Sequence, residues 1–389
     1  MRNQAAQLTP FTSLNPLVTP AVLLLLPIVL TLGFGWIAFH SQNEEQKSVW
    51  AAYRRFGRFI LTGTVVGWWV TWDLYGRSAI ISTIAFIWPT ASSAETLLFW
   101  VLPTASLSIF LFLCNTVDRS ILKLKWTVAD ALRQTWWRVV SFVIPLLLVA
   151  SSFDAFLGKK VRGIVWLFAA GVTSKVGTGF LRRAEGMRFN ALKSGELRNR
   201  ALSIARRMGV TLERVYLVPA GKGHLTNAYG MSNAIALTDN LGKHLTKMQV
   251  EFFIAHELAH VKLKHARKHL LWAITIFSSV AVSLYILPQR VMPFRSLLQI
   301  IAMLGPLCAF YYCSRRFEFS ADREAVAFTG DPETAIRALV GLHRSRELHV
   351  AHDGLTDLFM THPSLEQRVH ALASDGHLPA DRLTDIKFR

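Results

Sequence analysis

Residues Glu251–His265 read EFFIAHELAHVKLKH. Upstream, Thr246 and Gln249 have the spacing of a capping box, so a helix starting near residue 246 holds this run in its middle. On that helix His256 and His260 stand on one face, four residues apart, and both can reach one Zn²⁺. Glu257 lies beside them, placed to take a proton from a metal-activated water. At this chain's own His and Glu frequencies, chance would produce the pattern on the order of 0.015 times. A merely charged surface helix is therefore the weaker reading. At 3.6 residues per turn, His265 and His269 point to the opposite face, as interfacial or solvated groups and not as ligands.

Two histidines do not fill a zinc site, so a third ligand is required. The run Arg315–Glu324, RRFEFSADRE, supplies a candidate. Glu318 and Asp322 share one face of a predicted helix. Glu318 can bind the metal while Asp322 bonds the free nitrogen of a ligand histidine and fixes its tautomer. Alone, an ExxxD pair also fits a solvated helix face. Joined to an upstream H-E-x-x-H, it reads as the other half of one site.

The chain around these runs is apolar. Of 389 residues 52% are hydrophobic and 17% charged, where a soluble protein carries about a quarter charged. That excludes a purely soluble enzyme and a disordered basic tail. Cys114, Cys308 and Cys313 all fall in apolar stretches and suggest no disulfide framework. Leu17–Phe39 is long enough to cross a ~30 Å hydrocarbon core and reads as an uncleaved span. Phe59–Tyr75, Leu97–Val117, Val139–Leu157, Val161–Leu181, Leu270–Leu287 and Leu297–Cys313 bring the total to about seven. Within them Asp73 reads as an interfacial residue near a span end, or as one lining a cavity.

The resulting fold class is mainly α: a polytopic helical membrane protein with an α+β catalytic domain. Its divisions are a multispanning region 1–181, a first catalytic part 182–269, a transmembrane hairpin 270–313 and a second catalytic part 314–389. The basic loops 41–58, 118–138 and 182–200 then fall on one side. By the positive-inside rule that side is cytoplasmic, with the N-terminus outside. The net charge of +18 could also mean nucleic acid, but a juxtamembrane position explains the basic run after 182 better. No nucleic-acid partner is expected. His260 lies ten residues before Leu270, or about 15 Å along a straight helix, so the site belongs beside the bilayer.

Four blocks carry a more specific resemblance: HLTNAYG (224–230), AHELAH (255–260), EFSADREA (318–325) and THPSLEQRV (361–369). The chain resembles the membrane zinc metallopeptidases, peptidase family M48, that include the heat-shock protease HtpX and the type I CAAX prenyl proteases. The resemblance implies a gluzincin-type site with one Zn²⁺ held by His256, His260 and Glu318. Glu257 would be the general base and Asp322 the carboxylate that orients a ligand histidine from behind. It further implies that His362 and Arg368 line the catalytic cleft and bond substrate or oxyanion. By themselves they read equally as a turn residue before Pro363 and a helix-surface charge. In the family a strand such as Asn227-Ala228-Tyr229-Gly230 pairs with extended substrate backbone; the bare sequence shows only a strand bounded by Gly.

The implied activity is hydrolysis of peptide bonds in membrane-associated or misfolded proteins, in the inner membrane if the source is bacterial. Partners are protein or peptide substrates and the lipid bilayer. The alternatives are a CAAX-type prenyl-protein endopeptidase and a membrane scaffold or transporter carrying a vestigial peptidase domain. The scaffold reading predicts a broken ligand or base, and none is broken.

Overall fold

The apolar runs fold as long helices in a computed structural model that describes residues 18–41, 53, 57, 60–71, 95–121, 123–185, 187–219, 228–230, 233–345 and 360–376. Among these residues six helices are long and apolar enough to cross a membrane. They are α1 (Val18–His40), α3 (Glu95–Ile121), α4 (Val128–Leu157), α5 (Gly163–Ala184), α9 (His265–Ile286) and α10 (Arg295–Thr329). The span expected at Phe59–Tyr75 contains the shorter apolar helix α2 (Ile60–Thr71); its remainder, with Asp73, lies outside the described residues.

The outer faces of these helices stay apolar and uncovered. In α9 only 11% of the most apolar window is buried, and Leu270, Leu271, Ile274 and Ile286 are exposed on it. Such a face is stable only against hydrocarbon. Inside the bundle, one cluster packs Leu107, Phe110 and Cys114 of α3 against Val139, Val143 and Leu147 of α4. A second joins Trp69, Phe153 and Phe156 to Ala281, Leu284 and Met303, so α2 and α4 hold the α9–α10 hairpin. α4 starts from a Thr127–Asp130 capping box and carries a π-helical turn at Val139–Val143. There α5 approaches so closely that a Cβ on Gly177 would lie 2.8 Å from the Ser141 nitrogen.

The far end of the hairpin is pinned to the rest of the bundle. Lys159, in the turn between α4 and α5, donates to the carbonyls of Tyr285 and Leu287. Arg295 pairs with Asp154. At the opposite end lie α6 (Glu196–Arg207), α7 (Leu241–His244), α8 (Lys247–Lys262), α11 (Pro332–Ser345) and α12 (Leu365–Asp375) with a four-stranded sheet. The strands are β1 (Asn190–Ala191), β2 (Arg214–Val218), β3 (Ala228–Gly230) and β4 (Ala234–Thr238), in the order β1-β2-β4-β3. β2 and β4 run parallel, and β3 pairs antiparallel with β4, Tyr229 opposite Ala236. Among the described residues β3 is thus an edge strand.

One core unites both polar parts of the chain. Ile235, Leu237, Phe252 and Leu258 from before the hairpin pack with Ala321, Ala325, Ile336, Leu339 and Val369 from after it. The divisions at 181/182, 269/270 and 313/314 fall inside the continuous helices α5, α9 and α10. Each helix continues through the polarity change.

Candidate metal centre

The site is built where α8 crosses α10. Thr246 caps α8: its hydroxyl accepts from the Gln249 N–H while the Gln249 side chain accepts from the Thr246 N–H. Phe252, Phe253, Ala255, Leu258 and Ala259 are buried and fix the rotation of the helix about its axis. On α10 the small, fully buried Ala321 and Ala325 let the two helices approach. Sequence spacing is thereby turned into side-chain convergence.

His256 Nε2 and His260 Nε2 lie 3.1 Å apart. Glu318 puts Oε2 3.7 Å from the first nitrogen and Oε1 3.6 Å from the second. Donor atoms of the three residues all fall within 4.8 Å of one another. Ligands about 2.05 Å from a tetrahedral ion are about 3.3 Å apart, so this donor set fits one zinc. Two imidazole nitrogens facing each other at this distance require a cation or a proton between them. Burial, reinforced by His256, pushes His260 down to about 3, which keeps its imidazole neutral and able to ligate.

Asp322 lies behind the donors. Its Oδ1 is 3.0 Å from His256 Nδ1, although the ring N–H departs from the ideal hydrogen-bond line. Arg368 grips the same carboxylate with a fork, Nε to Oδ2 at 2.7 Å and Nη2 to Oδ1 at 2.5 Å. Burial works against the Arg368 charge, but Asp322, and then Glu318, outweigh it. The expectation put Arg368 on the cleft wall, available to substrate. Instead it is buried, with its fork on Asp322 and its third nitrogen 3.9 Å from Glu318. The reason is local: Ser364 and Gln367 form a capping box that starts α12, and the first turn of that helix aims Arg368 inward.

His362 sits on the exposed side of the donors. Its side chain is 66% exposed and its Nδ1 lies 3.1 Å from Glu318 Oε2. Glu257 faces the edge strand β3, where the Gly230 N–H bonds its carboxylate. Burial nevertheless raises Glu257 above the ordinary glutamate range. A Cβ on Gly230 would lie 3.1 Å from both the Glu257 carbonyl and Oε2, so glycine is what lets the strand come this close. Ala228 is buried and Tyr229 partly so. Asn227 lies outside the described residues.

The largest departure concerns His265. A straight helix would carry it to the opposite face from His260. Instead α8 ends at Lys262, Lys264 adopts the left-handed conformation (φ 55, ψ 38), and α9 begins at His265. That break turns His265 inward, buried, with Nδ1 2.8 Å from His260 Nδ1. His265 also stacks on Phe317, ring centroids 4.6 Å apart. The straight-helix path of about 15 Å from His260 to the bilayer does not exist for the same reason. His269, in the next turn, packs edge-on against Phe317.

A family model described as Peptidase family M48 matches residues 191–375, the stretch that contains every group above. That stretch is similar to peptidase family M48. Its relatives include the Protease HtpX homolog of Streptococcus gordonii, 25% identical over 289 residues, 63% of this chain and 97% of that one. The Protease HtpX homolog of Ralstonia pickettii is 28% identical over 236 residues, 51% of this chain and 82% of that one. In fold, the chain is similar to a crystal structure of S. mikatae Ste24p at a TM-score of 0.51 and 17% identity, covering 91% of this chain and 99% of the other. That similarity extends the likeness from the peptidase part to the membrane helices. A chain with this similarity and these helices is a membrane protease.

Proposed function

We propose that this protein is a zinc-dependent endopeptidase that cleaves membrane-associated or misfolded proteins at the membrane surface. The observation that carries the reading is the convergence of His256, His260 and Glu318 beside a separate carboxylate, Glu257. Zinc, when bound by those three residues, supplies Lewis-acid chemistry that acidifies water and polarises a scissile carbonyl.

The chain's own groups do the rest. Glu257 accepts the proton of the attacking water and returns it to the leaving amine. Its raised pKa brings it nearer to working pH, where it can perform both transfers. The Gly230 N–H holds the carboxylate in line while β3, an edge strand among the described residues, pairs with extended substrate backbone. His362, on the open side, is the donor available to the oxyanion of the tetrahedral intermediate. Arg368 does not touch substrate in this reading; it holds Asp322, which holds His256. The catalytic domain is cytoplasmic and the N-terminus outside, as loop charge supports.

Casein and a farnesylated peptide offered to the full-length protein in detergent test the reading together. We expect chelator-sensitive, zinc-restored cleavage of casein. Cleavage of the farnesylated peptide alone would transfer the protein to the prenyl-protein class, and chelator-resistant cleavage would contradict a metal mechanism.

A further inference from the structure

The two ligand histidines are held from behind by different chemistry. His256 has a carboxylate, Asp322, at its Nδ1. His260 has a neutral chain of three groups that ends on a backbone carbonyl. Its Nδ1 meets His265 Nδ1 at 2.8 Å, His265 Nε2 meets Ser320 Oγ at 3.2 Å, and Ser320 Oγ meets the Phe317 carbonyl at 2.9 Å.

We propose that His265 and Ser320 are positioning residues that fix the tautomer of His260 and so aim its bare Nε2 at the metal. The inference rests on the zinc reading above, and the direction of every bond in the chain follows from its far end. The Phe317 carbonyl can only accept, so the Ser320 hydroxyl donates its single proton there. Ser320 Oγ must then accept from His265 Nε2–H. A neutral His265 has its lone pair on Nδ1, which accepts from His260 Nδ1–H. His260 is left with a lone pair on Nε2, the atom facing His256 Nε2 and Glu318.

Three further features hold the chain in place. His265 is 3% exposed. Its ring stacks on Phe317 at an interplanar angle of 13°. Lys264 holds the left-handed turn that brings it there, a conformation disfavoured for side chains with a Cβ and kept only when the surroundings impose it. The arrangement orients His260 without a further negative charge next to Glu318 and Asp322.

Zinc affinity of the full-length protein in detergent, by competition with a chromophoric chelator, tests this without reference to activity. Partners of this kind are worth 10–100-fold in metal affinity. We expect His265→Phe, which keeps the stacked ring and removes the acceptor, to weaken zinc by about that factor. His265→Asn, whose amide oxygen can accept near the Nδ1 position, should recover most of the loss. Ser320→Ala, which releases the tautomer but keeps the ring, should cost several-fold and shift the visible spectrum of the cobalt-substituted protein. Wild-type affinity and an unchanged cobalt spectrum in both His265→Phe and Ser320→Ala would overturn the inference and leave the metal site standing. So would His265→Asn proving as weak as His265→Phe. A wild-type protein that binds no zinc would overturn the site itself.

Discussion

The two helices that meet at the site present their site residues at the same i, i+4 spacing, two donors on α8 and a donor with its supporting carboxylate on α10, but are built in opposite ways. α10 runs unbroken over 35 residues, from the membrane hairpin to Thr329. Glu318 and Asp322 therefore keep a fixed rotation relative to the span below them. α8 is capped at Thr246, stops at Lys262 and is separated from its span by the left-handed Lys264. Its histidines take their orientation from the sheet and the core, not from the membrane. A helix break can thus be part of a metal site, because this one turns His265 back onto a ligand.

The largest effect that can test the contrast lies on α8. Glu257→Gln should lower kcat/KM on casein about 10³-fold, within the range of general acid–base catalysis, while the zinc content stays at the wild-type level. Proteolysis assays with metal analysis check this, and loss of zinc in that variant would move Glu257 into the ligand set. On α10 the test is structural. Arg368→Met leaves the Asp322 carboxylate buried without its fork, which destabilises by about 3 kcal/mol. Denaturant unfolding of the catalytic domain should shift accordingly; an unchanged midpoint would show that the fork does not hold α12 on α10.

A smaller effect separates the base from the ligands. Gly230→Ala pushes a methyl group against Glu257, with an expected loss of about tenfold in kcat/KM and none in zinc affinity. The smallest concerns the break itself. Lys264→Gly should stabilise by roughly 0.5 kcal/mol, since glycine relieves the left-handed strain but gives back part of it as unfolded-state entropy. Destabilisation there would mean that the Lys264 side chain, not its backbone angle, sets the turn.

What could be read in the sequence follows from which forces are local. Apolar runs of bilayer length, the Thr246 and Gln249 cap and the His256/His260 spacing are all short-range signals; six of the seven runs, the cap and the paired histidines appear in the described residues. Joining Glu318 to them needed only the expectation that a hairpin returns the chain to the same end of the bundle. The break at Lys264 carried no signal, because a lysine with positive φ is imposed by tertiary packing and not by propensity. His265 was misplaced as a direct result. Arg368 was misplaced because its partner, Asp322, is 46 residues away in sequence. Both groups became legible only once the hydrogen bonds around the ligands could be followed outward, since half of a metal site lies behind its first ring of donors.

The central claim is that one metal ion is held jointly by the capped helix and the unbroken one. The most direct measurement is zinc per chain in detergent-purified wild-type protein and in Glu318→Ala, with the fold of each checked by circular dichroism. The account predicts about one zinc per chain in the wild type and almost none in the folded variant. Equal zinc in the two, or none in the wild type, would contradict it.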